Sequence, residues 1–373
     1  MKTKILFIGG LLLFSAVLFA QTTKSSPAQQ KKPATTKTTK TTTKSSQPAK
    51  STTTKVQPAK PATTMPAAAA PKPAPKVVIA VGEKTGGGAK GVIIRSVDKG
   101  NTWKRVYENF QAGVNGVTYG GGKWVAVCNG KALISPSGEE DTWEEADISG
   151  VCPGSPRAVA FGDGFYLAVG EKGTFCYSKD AKKWTQINDV GGMQTSIAEY
   201  YNVKFAQGKF IVAGNYNRVV TAMVQGDKVV VDKIFKNSEN VKDYLSCIAV
   251  GNKIFVCNKA FFKSIDAKSF NQYTPSPEIV LQGIGWGNGL LIGANPGGGL
   301  FYSEDGVKWN IVPAIGNNTP LAPVFRDIVY VQDTFIAAGD KGNIWTSADG
   351  KNWKKISTED DYSSVTFLTV AVN

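Results

Sequence analysis

Five aspartates recur in this chain in nearly the same company. Asp98, Asp180, Asp266, Asp305 and Asp349 each stand two residues after a serine and four or five before a tryptophan or phenylalanine. Repeated carboxylates invite a hydrolytic reading as general acids, bases or nucleophiles. The chain has no histidine, which excludes Ser-His-Asp and Cys-His nucleophiles, His-ligated zinc and a histidine pH switch. No catalytic residue can be assigned, and no metal or cofactor is expected. The run Gly86-Gly87-Gly88-Ala89-Lys90-Gly91 formally matches the dinucleotide pattern G-x-G-x-x-G. A strand follows it, so no helix N-terminus would hold a pyrophosphate, and it reads as a flexible turn.

Arginine is scarce, with five in the chain. Arg157, Arg218 and Arg326 are expected on one face, where converging guanidinium groups suit a carboxylate or phosphate. The alternative is three separate surface arginines with local partners.

The net charge of +14 comes from 43 basic and 29 acidic residues. Eleven lysines and no acid lie in 21–76, and Lys2 and Lys4 precede the apolar run Ile5 to Phe19. The remaining chain is nearly neutral, so the basic character belongs to a tail and implies no specific nucleic-acid partner. Residues 1–20 read as a secretory signal peptide with cleavage before Gln21, and no membrane span is expected after its removal. Residues 21–76, rich in Lys, Thr, Pro and Ala, read as a disordered spacer that could also hold an anionic polymer. A secreted, periplasmic or cell-surface location follows.

The serines of the aspartate phrases fall about forty residues apart. Copies begin at Ser96, Ser178, Ser303 and Ser347, with weaker ones at Ser137 and Ser264. One copy is missing and is expected near Thr221 to Asp227. Before most copies stands a strand ending in an aromatic or apolar residue, then a Gly-rich turn and another strand, as in Val117 to Val127 and Val159 to Val169. This pattern implies four antiparallel strands per unit. Residues 77–373 allow about 42 residues for each of seven units, the size of a propeller blade. The chain therefore reads as an all-β, seven-bladed β-propeller. Val77-Val78-Ile79-Ala80-Val81 opens on a second strand, and Ser363 to Val370 is left over at the far end, so the last strand is expected to complete the first blade.

The phrase Ser-x-Asp-Gly-x-x-Trp at a strand-to-strand turn resembles the Asp-box, or BNR, repeat. Such repeats occur in sialidases, xyloglucan-active hydrolases, sortilin-type receptors and photosystem II stability/assembly-factor-like propellers. The resemblance covers 77–373 and implies the fold rather than an activity. On this reading the five aspartates are structural: a short carboxylate accepts from its own turn's N–H groups while the tryptophan packs between blades. Sialidases of this kind carry an arginine triad, a Tyr-Glu nucleophile pair and a Phe-Arg-Ile-Pro-like motif. The nearest text here, Gly91-Val92-Ile93-Ile94-Arg95, reads as an ordinary strand. An assembly factor for a membrane complex is a further role that the resemblance implies.

Aligning the repeats places Asn115, Arg157, Tyr201, Ser246, Gln282, Arg326 and Ser363 at one equivalent position ahead of the innermost strand. These seven are expected to form a polar collar at the channel mouth, joined by Arg218 from a turn of the fourth blade. The long connections Asn188 to Asn202 and Val312 to Arg326 reach the same face. Among the cysteines, Cys128 and Cys152 are expected near enough to pair, while Cys176, Cys247 and Cys257 read as small buried groups. Taken together, these features point to an exported, non-catalytic propeller binding a protein or glycan through the loop face. The alternative is a glycan-cleaving hydrolase using Glu171, Glu199 or Asp327. Asn317-Asn318-Thr319 is a glycosylation sequon if the host is a eukaryote.

Overall fold

The computed structural model describes residues 76–373 apart from 86–89, 110–111, 192–196, 236–242 and 316–321. The expected signal peptide, the spacer up to residue 75 and the sequon lie outside the described residues, as does most of the glycine run before Lys90. No helix among the described residues is long and apolar enough to cross a membrane.

Seven four-stranded antiparallel sheets stand in a ring. Blade 1 contains β1 (Val78–Lys84), β2 (Lys90–Ser96) and β3 (Lys104–Asn109). Blade 2 is β4 to β7 (Val114–Gly120, Lys123–Cys128, Lys131–Ser135, Glu144–Asp147) and blade 3 is β8 to β11 (Pro156–Gly162, Phe165–Gly170, Phe175–Ser178, Thr185–Gln186). Blade 4 is β12 to β15 (Tyr200–Ala206, Lys209–Gly214, Arg218–Gln225, Lys228–Phe235) and blade 5 is β16 to β19 (Leu245–Val250, Ile254–Asn258, Phe261–Ser264, Asn271–Tyr273). Blades 6 and 7 are β20 to β23 (Gly283–Gly287, Leu290–Ala294, Leu300–Ser303, Asn310–Ile311) and β24 to β27 (Phe325–Val331, Thr334–Gly339, Ile344–Ser347, Lys354–Lys355). The last strand, β28 (Val365–Val372), pairs with β1 as the innermost strand of blade 1, with Val78 opposite Val372 and Ala80 opposite Val370. The ring is thus closed as the leftover strand implied, and Val77 and Asn373 exchange hydrogen bonds at the joint.

Each blade is packed between two others, so its middle strands are apolar on both faces. In β5, Val125 and Val127 face blade 3 beside Val159, Tyr166 and Ala168, whereas Trp124, Ala126 and Cys128 face blade 1 beside Ile79, Val81 and Ile93. The aromatic-glycine phrase has a packing cause. A Cβ on Gly120 would run into the Phe161 ring, one on Gly162 into Phe205 and one on Gly287 into Tyr330. In these blades the aromatic therefore lies on bare backbone of the blade before. The following two-residue turns, such as Asp163-Gly164 (φ 46° and 82°), are left-handed, which matches hairpin twist.

The serine-aspartate turns join the third and fourth strands. Ser178 Oγ accepts from the Ala181 N–H at 2.9 Å, Asp180 accepts from the Lys182 and Lys183 N–H groups at 2.8 and 2.7 Å, and Trp184 Nε1 donates to Ala181 O at 2.7 Å. Blades 6 and 7 repeat these bonds through Asp305 and Asp349. Asp98 accepts from Thr102 and Asp266 from Lys268. In blade 2 the serine holding the turn is Ser135, which accepts from the Gly138 N–H at 2.7 Å, rather than Ser137. Ser137 occupies the aspartate's place two residues on. The blade lacking the motif, blade 4, joins β14 to β15 by a hairpin at Gly226, in the region where the missing copy was expected.

The cysteine pairing differs from expectation. Cys152 is bonded to Cys176, and Cys128 is a buried free thiol. The reason is strand parity: Cys128 shares the face of Trp124 and Ala126 toward blade 1, while Cys152 packs with Cys176 on the opposite side of blade 2. Cys247 and Cys257 are buried free thiols in directly paired positions.

Candidate functional site

At the leading ends of the innermost strands lies a cavity of about 430 Å³. Six of the seven collar residues line it: Asn115, Arg157, Tyr201, Ser246, Gln282 and Arg326. What brings them there is a recurring backbone irregularity. Asn115, Arg157, Tyr201, Ser246 and Arg326 each occupy a β-bulge, where the inner strand slips by one residue against its neighbour. A bulge re-aims one side chain out of the alternation that otherwise sends it between blades. Gln282 stands directly ahead of β20 and its N–H donates to Ala294 O.

The seventh place is held by Leu368, not Ser363. The bulge of β28 falls between Phe367 and Thr369, and both Leu368 and Thr369 line the cavity. The other bulged strands begin one residue before their bulge, whereas β28 begins three before it. Alignment that matches Val365 instead of Val370 to Val117, two residues after the collar position, therefore lands five residues early. Ser363 sits in a different cleft, with its N–H donating to Asp361 at 2.8 Å. Arg218 does not line the cavity either; it is 4% exposed on β14, against Tyr200.

Inner strands have one backbone edge with no strand partner, and buried backbone groups need partners. At every junction between blades a polar side chain crosses to the next blade. Thr369 Oγ1 donates to Asn115 O at 2.9 Å, and Asn115 Nδ2 donates to Pro156 O at 2.8 Å. Arg157 reaches Glu199, ahead of blade 4, at 3.1 Å. Asn202 Nδ2 donates to Ser246 O at 3.2 Å, Asn258 Nδ2 to Leu281 O at 3.0 Å and Gln282 Nε2 to Phe325 O at 2.8 Å. The Val370 N–H donates to Asp327 Oδ2 at 3.1 Å and completes the circuit.

The mouth's charges are largely matched. Arg157 pairs with Glu171 at 2.9 Å as well as with Glu199. Arg326 makes a two-pronged pair with Asp340 at 2.7 and 2.9 Å and donates to Gln282 Oε1 at 3.2 Å. Asp327 is 8% exposed. Burial raises its carboxyl pKa, against the opposing effects of Lys204 and of the Val370 and Ile328 N–H groups. Lys204, on β12, lines the same cavity.

Sequence reasoning missed Asn202, Lys204 and Thr369. A faint signal existed in the column just after the collar position, which reads Gly116, Ala158, Asn202, Cys247, Gly283, Asp327 and Thr369. Where it is glycine the blades approach closely: a Cβ on Gly116 would come 2.9 Å from Arg157 O, and one on Gly283 2.5 Å from Arg326 O. The collar residue itself then makes the crossing bond.

No family model and no curated protein matches the sequence. Solved structures match in fold. One described as YCF48 bound to D1 peptide is 16% identical, with a TM-score of 0.53 over 77% of this chain and 93% of that one. A 6-phosphogluconolactonase-like protein from Bacteroides fragilis is 9% identical, with a TM-score of 0.58 over 82% and 100%. Apo AztD from Citrobacter koseri is 11% identical, with a TM-score of 0.53 over 80% and 97%. At these identities the likeness is one of propeller architecture.

Proposed function

We propose that this chain is an exported, non-catalytic propeller that binds a protein or glycan partner at the channel mouth, with 21–76 as its spacer. The observation that carries the reading is the cavity itself, where bulges in successive blades turn polar side chains toward a common axis. The YCF48 neighbour, described with a bound peptide, is a propeller of related architecture and favours a polypeptide partner. The turn aspartates fit the structural use of Asp-box repeats, since their carboxylates are taken up by their own backbone.

The contacts of the mouth acids weigh against hydrolysis. Glu171 and Glu199 both face Arg157, and Asp327 accepts two backbone N–H groups. A general acid or nucleophile drawn from these would first have to leave its partners.

The test is binding of immobilised peptides and glycans to the full chain and to Tyr201→Ala. Capture lost in the variant, with an unchanged melting curve, supports the mouth. Glycan turnover abolished by Glu171→Gln would overturn the non-catalytic reading. Terminal sequencing of the exported chain is expected to begin at Gln21.

A further inference from the structure

The sector of blades 3 to 5 narrows the partner's chemistry. Arg157 lies over Tyr201, with Cζ 4.7 Å from the ring centroid. Tyr201 packs in turn against Tyr244, with centroids 4.9 Å apart and planes at 39°. The series advances one blade at a time and stops at Tyr244, which is 44% exposed. Ile197, another large apolar side chain, is 49% exposed. Asn215 holds both segments: its Nδ2 donates to Ile197 O at 2.7 Å, its N–H donates to Glu199 O, and it forms a β-bridge with Tyr244. The backbone segments that carry the two exposed side chains are therefore held to the β13–β14 hairpin before any partner arrives.

Charge selects among guests. Arg157 is one cation between two carboxylates, Glu171 and Glu199, so this cluster keeps a surplus negative charge. Arg326 is matched by Asp340. Asp243, next to Tyr244 in sequence, has Lys259 at 3.6 Å, and both side chains are exposed, so this pair is weak. At Arg157 and Arg326 an anionic guest would have to detach the arginine from acids that already hold it, and Lys204, the further cation lining the cavity, acts on the buried Asp327 carboxyl. A cationic guest meets a surplus carboxylate and an open aromatic face, the two groups that attract a guanidinium or ammonium.

Given a binding role for the mouth, we infer that this sector receives an arginine or lysine side chain of a polypeptide partner, with the cation on the open face of Tyr244 and an apolar neighbour against Ile197. Arginine should be preferred, because its planar group stacks as Arg157 does on Tyr201.

Calorimetric titration of the full chain with capped Gly/Ser octapeptides tests this, the series differing only in carrying two arginines, two citrullines or two glutamates. Arginine peptides should bind about tenfold more tightly than citrulline peptides, a difference that Tyr244→Ala removes and Tyr244→Phe keeps. Equal or tighter binding of citrulline or glutamate peptides overturns the inference and leaves the mouth a peptide surface. A preference that survives in Tyr244→Ala overturns the placement. If no series binds, both the inference and the polypeptide reading of the mouth fall.

Discussion

The rim turns and the channel mouth are both built from polar side chains bonded to backbone, yet they solve different problems. At the rim, Asp180, Asp305 and Asp349 satisfy N–H groups two or three residues away. At the mouth, Thr369, Asn115, Asn202 and Gln282 satisfy carbonyls on the next blade, some forty or more residues away in sequence or across the ring closure. The rim bonds shape single turns, and the mouth bonds join neighbours. A motif repeated in sequence therefore marks the part of the molecule with least to say about partners.

The harshest way to break the contrast is to remove β28 by ending the chain after Glu359. That takes away the β1 pairing and the buried Val365, Phe367 and Val370, and should exceed the ~5–15 kcal/mol that holds a typical domain together. Loss of a cooperative melt by circular dichroism is the expected result. Next, Trp184→Ala opens a void between blades 2 and 3 and should cost about 3–5 kcal/mol in denaturant titration. Asp180→Ala leaves two turn N–H groups without their acceptor and should cost about 1–3 kcal/mol. A single mouth bond is weaker: Gln282→Ala should cost about 1 kcal/mol, and a loss as large as that at Trp184 would mean the mouth bonds act as one unit.

The subtlest test is acid. Asp349 has its carboxyl pKa lowered, chiefly by the Asn352 N–H. The stability it contributes is present above the unfolded value near ~3.9 and is lost as pH falls toward its lower folded value. Asp327 has its pKa raised by burial, so its folded form favours the proton and it loses stability as pH rises from about 4 through the raised value. Subtracting stability curves of Asp349→Asn and Asp327→Asn from wild type should give slopes of opposite sign; matching signs would erase the distinction.

The same split decides what could be read from the chain alone. Local signals were legible: the serine-aspartate phrase gave the period, the aromatic-glycine phrase gave the hairpins, and the surplus strand gave the closure. Five collar residues line the cavity because bulges recur in phase with the repeat, and Gln282 stands at the same step directly ahead of β20. What escaped depends on pairing or parity. The shift to Leu368 is set by how β28 registers on β1, the Cys152–Cys176 bond by which face of blade 2 each sulfur occupies, and Ser135 by which hydroxyl reaches the Gly138 N–H. Arg157 and Arg326 were placed correctly as residues, but their acids come from hairpin turns and an adjoining blade, which residue spacing does not reveal.

The hydrogen bonds between Val77 and Asn373 leave the circle with a seam rather than a beginning. A gene rewritten so that a short glycine linker spans that seam, with new termini cut at the Gly226 hairpin, would encode the same wheel by circular permutation. Blade 1 would then be held by continuous chain, and the weak point of the fold would move to blade 4, whose third and fourth strands are joined by a plain hairpin.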